Sequence, residues 1–246
     1  MTALGALTER SVLATLRDGD LVFSVLGPAA FFVCFTITLR KVIDTGDVSY
    51  AQYILPVVVV QAMIFAAMTT ADRAARDHLS GMGVRLRSLP MLALVPVTAR
   101  MLSALIRAAL SLTAATGVGY AFGFRFAAFA HTAAFVGIAL VLSLALSLGA
   151  DAMGSVASSV EAAGQMLLVP QLLLVMLSTG IAPADAFPSW LGPFVRNQPV
   201  SVISTALRDL AAGDMNQRSL VIAMAWCAGL LVVFGAIAVR MQRRSA

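Results

Sequence analysis

The sequence predicts an all-α integral membrane protein with six transmembrane helices, and three observations predict it. Of the 246 residues, 60% are apolar and only 12% are charged, whereas soluble domains carry about 25% charged residues. The mean hydropathy is +0.91. Apolar windows recur along the whole chain, and at about 20 residues per crossing there is room for six of them. Residues 1–246 therefore read as a single transmembrane domain with no sizeable soluble part. The net charge of +5 lies on arginines beside the windows, a placement that suits anionic lipid headgroups rather than nucleic acid. Cys34 and Cys227 both fall inside apolar windows and read as small buried hydrophobes. No A-x-A-like site follows the first apolar run promptly, so no cleaved signal peptide is expected.

Residues 1–20 mix Leu4, Leu7, Val12, Leu13 and Leu16 with Glu9, Arg10, Arg17, Asp18 and Asp20, and read as a helix lying along the interface. Span one covers residues 21–39 and contains Pro28. Span two covers 50–70 and starts with the interfacial aromatics Tyr50 and Tyr53. Residues 72–80 continue it as a protruding helix that Gly81 and Gly83 break. Residues 84–89 form a second short helix, which Pro90 stops. Span three covers 91–120. Phe122, Phe124, Phe126 and Phe129 around Arg125 then form an aromatic belt.

Span four covers 132–149. The small-residue stretch from Asp151 to Glu161 reads as a tight, solvated turn, and span five covers 164–181 with Pro170 inside it. Between 182 and 217, Pro183, Pro188, Pro193 and Pro199 alternate with Phe187, Trp190 and Phe194. Residues 200–212 read as a short helix with Val202, Ile203, Ala206, Leu207 and Leu210 on an apolar face and Arg208 and Asp209 opposite. The region 182–212 fits short helices dipping into one leaflet. Span six covers 219–239 and is closed by Arg240, Arg243 and Arg244.

An even number of spans puts both termini on one side. Arg10, Arg17, Arg73, Arg76, Arg85, Arg87, Arg100, Arg107, Arg240, Arg243 and Arg244 fall there. The other side has Arg40, Lys41, Arg125, Arg196, Arg208 and Arg218. The excess marks the termini as cytoplasmic. The short loop between spans four and five is also inside yet lacks Lys and Arg. No internal repeat is visible, which counts against an inverted-repeat secondary transporter.

Several chemistries are excluded. The sole lysine, Lys41, does not follow a glycine-rich loop, so the chain has no P-loop and is no Walker-type ATPase. His78 and His131 fall on opposite membrane faces and form neither a metal site nor a catalytic pair. Gly154-Ser155 lacks a histidine at matching depth and a G-x-S-x-G frame, which argues against an intramembrane hydrolase. A stand-alone channel or secondary transporter would want carboxylates deep in a span. Asp151 and Glu161 lie only at inner ends.

From Leu177 the chain reads L-S-T-G-I-A-P-A-D-A-F-P-S-W-L-G-P-F-V-R-N-Q-P-V-S-V-I-S-T-A-L-R. This resembles the membrane subunits of type-2 ABC transporters, in particular the daunorubicin-resistance type of drug or lipid exporter. Ser178, Gly180, Pro183, Pro188, Trp190, Gln198, Pro199, Ser201 and Arg208 carry the match. Arg85-Leu-Arg-Ser-Leu-Pro90 with Arg100 resembles the family's segment between spans two and three. Gly123-Phe-Arg-Phe126 resembles its turn between spans three and four. At the inner end of span two, Asp72 and Asp77 stand where the family has a Glu-Arg-x-x-Gly run.

The resemblance implies a permease subunit resting on a separate ABC ATPase dimer and facing a second permease subunit, of the same or a related chain. The chain itself would hold no cofactor, with ATP and magnesium on the ATPase. Residues 72–90 would carry the coupling contact, with Arg76, Asp77, Arg85, Arg87 and Pro90 as candidates; headgroup contact is the other reading of the charged ones. The outer helices would cover an external gate. Gln61, Gln165 and Gln171 either line the path of an amphipathic substrate or hydrogen-bond between helices. Met166 and Met176 suit either such a substrate or lipid. Arg107 is read as snorkelling to the inner headgroups.

Overall fold

The computed structural model describes residues 20–40, 49–82, 95–214 and 216–244, with the side chains of 20–25 and 242–244 left aside. Within them the chain is all helical. In order the elements are α1 (Asp20–Leu39), α2 (Tyr50–Leu79), α3 (Val95–Ala121), α4 (Phe129–Gly154) and α5 (Val160–Met176). A single 3₁₀ turn (Ala184–Ala186) follows, then α6 (Gly192–Asn197), α7 (Pro199–Ala212) and α8 (Gln217–Arg244).

α2 is the centre. The Ser49 hydroxyl caps its first turn by accepting from the Gln52 amide at 3.3 Å. Every residue from Ile54 to Met63 is buried, and α1, α3, α4, α5 and α7 all pack against it. As expected, span two runs on without a break through Leu79. It ends where Gly81 adopts φ +68°, a conformation that costs glycine little. α8 packs on α4 and α7 and leaves Val221, Met224, Val232 and Val233 exposed.

Small residues let the helices approach. A Cβ on Gly154 would lie 2.2 Å from the Ala71 carbonyl oxygen, so the end of α4 touches the backbone of α2. Ala67, Ala71, Ala75, Ala150, Ala157 and Ala163 form an alanine seam joining α2, α4 and α5 at that level. At the opposite end, Gly213 caps α7 at φ +81° and leaves no room for a Cβ, which would meet Ala127 at 2.6 Å.

Among the described residues, four helices are long and apolar enough to cross a membrane: Tyr50–Leu79, Val95–Ala121, Phe129–Gly154 and Gln217–Met241. The apolar stretch Leu26–Leu39 and α5 are shorter. The 17 residues of α5 extend about 25 Å, a little under the hydrocarbon thickness. The chain is thus a multi-pass membrane protein. The interfacial segment 1–20 and the short helix 84–89 lie outside the described residues apart from Asp20, which starts α1.

Several sequence expectations need correction. Cys34, read as a buried small hydrophobe, is exposed on α1, while Cys227 is buried as expected. Span five, expected over 164–181, is helical over Val160–Met176. The turn expected from Asp151 to Glu161 is shorter: α4 continues to Gly154, and Ser159 caps α5 by accepting from the Ala162 amide at 3.1 Å. Asp151 is therefore helical and buried. The aromatic belt is half core: Phe124 is buried and makes an edge-to-face contact with Phe126, which packs the same way on Phe135, while Phe129 stays exposed. On α7 the apolar face is buried as expected. Arg208, however, folds back onto α2 instead of facing away.

Candidate functional site

The family-like residues after Leu177 gather at the proline-rich end of the bundle. α5 stops at Met176, and Ser178 turns its hydroxyl back onto the Val175 carbonyl at 2.7 Å. Gly180 follows because α2 leaves no space: a Cβ there would sit 2.5 Å from Val57 Cβ. Pro199 opens α7 at its first position, where its missing N–H costs nothing. The preceding Gln198 donates from Nε2 to the carbonyls of Leu174 and Leu177 at 2.8 and 2.6 Å. The Ser201 hydroxyl accepts from the Thr179 amide at 3.0 Å. These bonds satisfy the carbonyls and amide that the frayed end of α5 leaves open.

Arg208 closes the knot. Its guanidinium stands 3.8 Å over the Tyr53 ring and donates to the carbonyls of Tyr53 and Thr179. The Tyr53 hydroxyl donates to the same Thr179 carbonyl at 2.7 Å. Ser178, Gly180, Gln198, Pro199 and Arg208 are thus brought together. Pro183 is half-buried, and Pro188 and Trp190 are exposed, Trp190 at 78%. The partner that sequence reasoning missed is Tyr53, read only as an interfacial aromatic. Nothing local to it signals an arginine 155 positions away.

At the other, arginine-rich end, Arg76 is exposed on α2. Asp77 lies 3.6 Å from Arg100 of α3. Arg85, Arg87 and Pro90 lie outside the described residues. Arg100 also forms a two-pronged ion pair with Asp151 of α4, Nε on Oδ1 and Nη2 on Oδ2 at 3.2 Å. Asp151 is thus buried and neutralised by an arginine rather than solvated in a turn.

The snorkelling expected of Arg107 is overturned too. It is only 1% exposed and donates to Ser103 Oγ at 2.8 Å and Thr70 Oγ1 at 2.9 Å, between α3 and α2. Hydroxyls on both helices meet two of its donors, which a buried charge requires.

The three glutamines separate. Gln165 is exposed on α5. Gln61 and Gln171 are each 3% exposed. Gln61 Oε1 and both amide atoms of Gln171 find no hydrogen-bond partner among the described residues. Met166 and Met176 are exposed, as are Leu168, Val169, Leu172 and Leu173 of the same helix. His78 and His131 sit at opposite ends of the bundle. Among the described residues no three His, Cys, Asp or Glu side chains gather into a metal site.

The profile of the ABC-2 type transporter family matches residues 2–211. Over 217 residues the chain is 34% identical to the doxorubicin resistance ABC transporter permease protein DrrB of Mycobacterium tuberculosis, covering 85% of this chain and 75% of that protein. It is 25% identical over 238 residues to the probable doxorubicin resistance ABC transporter permease protein DrrC of the same organism, covering 92% and 83%. It is 27% identical over 231 residues to the daunorubicin resistance ABC transporter permease protein DrrB1 of Streptomyces coeruleorubidus, covering 91% and 80%. The resemblance carried by the residues after Leu177 is therefore borne out across most of the length. The chain belongs to the ABC-2 type transporter family and is a membrane permease subunit of an ATP-binding cassette transporter, whose ATP hydrolysis takes place on a separate subunit.

Proposed function

We propose that this permease moves an amphipathic drug, antibiotic or lipid outward across a bacterial plasma membrane. The carrying observation is the 34% identity, over 85% of the chain, to a protein named for doxorubicin resistance. In this reading the chain is one transmembrane domain with six crossings, α1 and α5 included. Both termini and the arginine-rich end face the cytoplasm, and residues 1–20 lie along the inner interface. The arginine excess on that side supports this orientation.

Two permease subunits, of the same or a related chain, face each other above an ATPase dimer that binds ATP and magnesium. The exposed apolar face of α5, from Met166 to Met176, supports a neighbour or lipid on that side. Residues 72–90 act as the coupling segment: Arg76, Arg85 and Arg87 pair with acidic groups of the ATPase, and Pro90 limits the short helix. The region 182–212 covers the outer gate, with the Ser178–Arg208 knot as its fixed base and Trp190 at its exposed rim. Gln61 and Gln171 are kept for the path. A buried amide without a partner costs about 1–3 kcal/mol, a cost that a passing polar substrate atom would relieve.

Charge reversal tests the coupling role. In Arg85→Glu with Arg87→Glu, membrane insertion is expected to be normal and transport-coupled stimulation of the ATPase lost. Unaltered stimulation would remove these residues from the coupling contact.

A further inference from the structure

Asp77 and Arg100 stand on either side of residues 78–99, and the fold joins them. Asp77 lies two residues before the end of α2, and Arg100 lies in the second turn of α3. Their charged atoms are 3.6 Å apart. The last turn of α2 and the second turn of α3 are therefore joined by a charge contact.

The same guanidinium holds a third helix. It engages both carboxylate oxygens of Asp151, in the last turn of α4. Side-chain exposure falls from 36% at Asp77 to 16% at Arg100 and 4% at Asp151. The contact thus begins at the rim and ends in the packed interior, where salt screens little and separated charges are costly. Three residues beyond Asp151, Gly154 sets α4 against the α2 backbone without room for a Cβ. Two residues before Asp151, a Cβ on Gly149 would meet the Phe234 ring of α8 at 2.8 Å. The end of α4 is therefore closely packed on both sides of Asp151.

We infer that Arg100 is the positioning residue that makes the end of α2 at Asp77, the start of α3 and the end of α4 move as one piece. Motion delivered to the end of α2 or the start of α3 reaches α4 through the guanidinium. The planar fork is needed, because it meets two oxygens of Asp151 while its remaining nitrogen faces Asp77. A lysine ammonium keeps the charge and loses this three-way grip. The inference rests on reading 72–90 as the place where the ATPase pushes.

The test uses the permease assembled with its ATPase in lipid, with Cys34 and Cys227 replaced and spin labels at the exposed positions Leu79 and Val156. In the parent, the label distance is expected to be narrow and the same without nucleotide and with ATP trapped by vanadate. In Arg100→Lys the ATPase still co-purifies, the distance broadens or shifts on trapping, and ATP spent per doxorubicin molecule moved rises at least tenfold. Asp151→Asn, which keeps the shape and removes the charge, is expected to broaden or shift the distance on trapping in the same way. An Arg100→Lys complex that keeps the narrow, invariant distance would overturn the inference, as would a folded Asp151→Asn complex with the parent distance.

Loss of ATPase co-purification in Arg100→Lys would overturn it as well, by placing Arg100 in the contact itself. If Arg100→Lys does not insert, Asp77→Asn decides: a distance unchanged from the parent contradicts the linkage. Charge reversal at Arg85 and Arg87 without effect, beside an uncoupled Arg100→Lys, would reject the ATPase-contact residues and leave the linkage standing.

Discussion

The guanidinium of Arg208 lies 3.8 Å over the Tyr53 ring while its Nη2 donates to the Tyr53 carbonyl at 3.2 Å. One side chain therefore ties α7 to both the face and the backbone of α2. Truncating either residue is expected to lower stability, and the two effects are not additive. A double-mutant cycle on Arg208→Ala and Tyr53→Ala, read by denaturation in detergent, is expected to give a coupling of about 0.5–2 kcal/mol. Additive losses would mean that the stack holds nothing.

Gly180 and Gly154 face different obstacles, and their alanine variants separate on that account. At Gly180 a Cβ meets the Val57 side chain at 2.5 Å, and at Gly154 it meets the Ala71 carbonyl oxygen at 2.2 Å. Each alanine is expected to cost about 1–3 kcal/mol. Val57→Gly removes both the Cβ and the Cγ2 that crowd Gly180→Ala, so the alanine costs less in that background. The same background gives nothing to Gly154→Ala, whose obstacle is backbone. Melting temperatures of both alanine variants, each with and without Val57→Gly, and of Val57→Gly alone check this.

Removing the acceptor from Thr70 leaves Arg107 with one hydrogen bond fewer in a buried position. Thr70→Val keeps the shape and removes Oγ1, which accepts from Arg107 Nη2 at 2.9 Å. Hydrogen bonds to charged groups contribute about 1.5–3 kcal/mol, so a loss of that order is expected. Were Arg107 to reach headgroups instead, Thr70→Val would be nearly silent.

Asp209 gives a pH signature. Its carboxyl is harder to ionise than usual, first because burial disfavours the charge and then because Asp214 repels it, with the Ser219 hydroxyl and Arg208 pulling the other way. The folded-state pKa is therefore raised above the unfolded one. The folded state holds the proton more tightly, so this group's contribution is full below the unfolded pKa and is lost as pH rises through the folded value. Above the ordinary aspartate range, Asp209→Asn is expected to remove that slope while its amide oxygen still accepts from Ser219. Unfolding curves at several pH values measure it.

Much of the fold was legible because it rests on local signals. The helix through Leu79 ends at a glycine, α7 starts at Pro199 and ends at Gly213, and the motif after Leu177 has fixed spacing. What was not legible depends on pairing across the bundle. A hydropathy window stops at Asp151 because it counts a charge, and cannot see Arg100 standing 51 positions away. Arg107 was assigned to headgroups by the same logic. Its hydroxyl partners Thr70 and Ser103 look like ordinary small residues in a span. Tyr53 reads as an interfacial aromatic and Arg208 as the polar face of a short helix, and only the fold brings the ring beneath the guanidinium.

The most direct measurement of the proposed export is uptake of an amphipathic probe into inside-out proteoliposomes containing this chain, with doxorubicin, for resistance to which its relatives are named, as the first probe. Uptake is expected only when the ATPase subunit is bound and ATP is supplied on the outside, and an imposed proton or sodium gradient drives none. Uptake by the chain alone on an ion gradient, or ATP-independent uptake in the complex, would contradict the account.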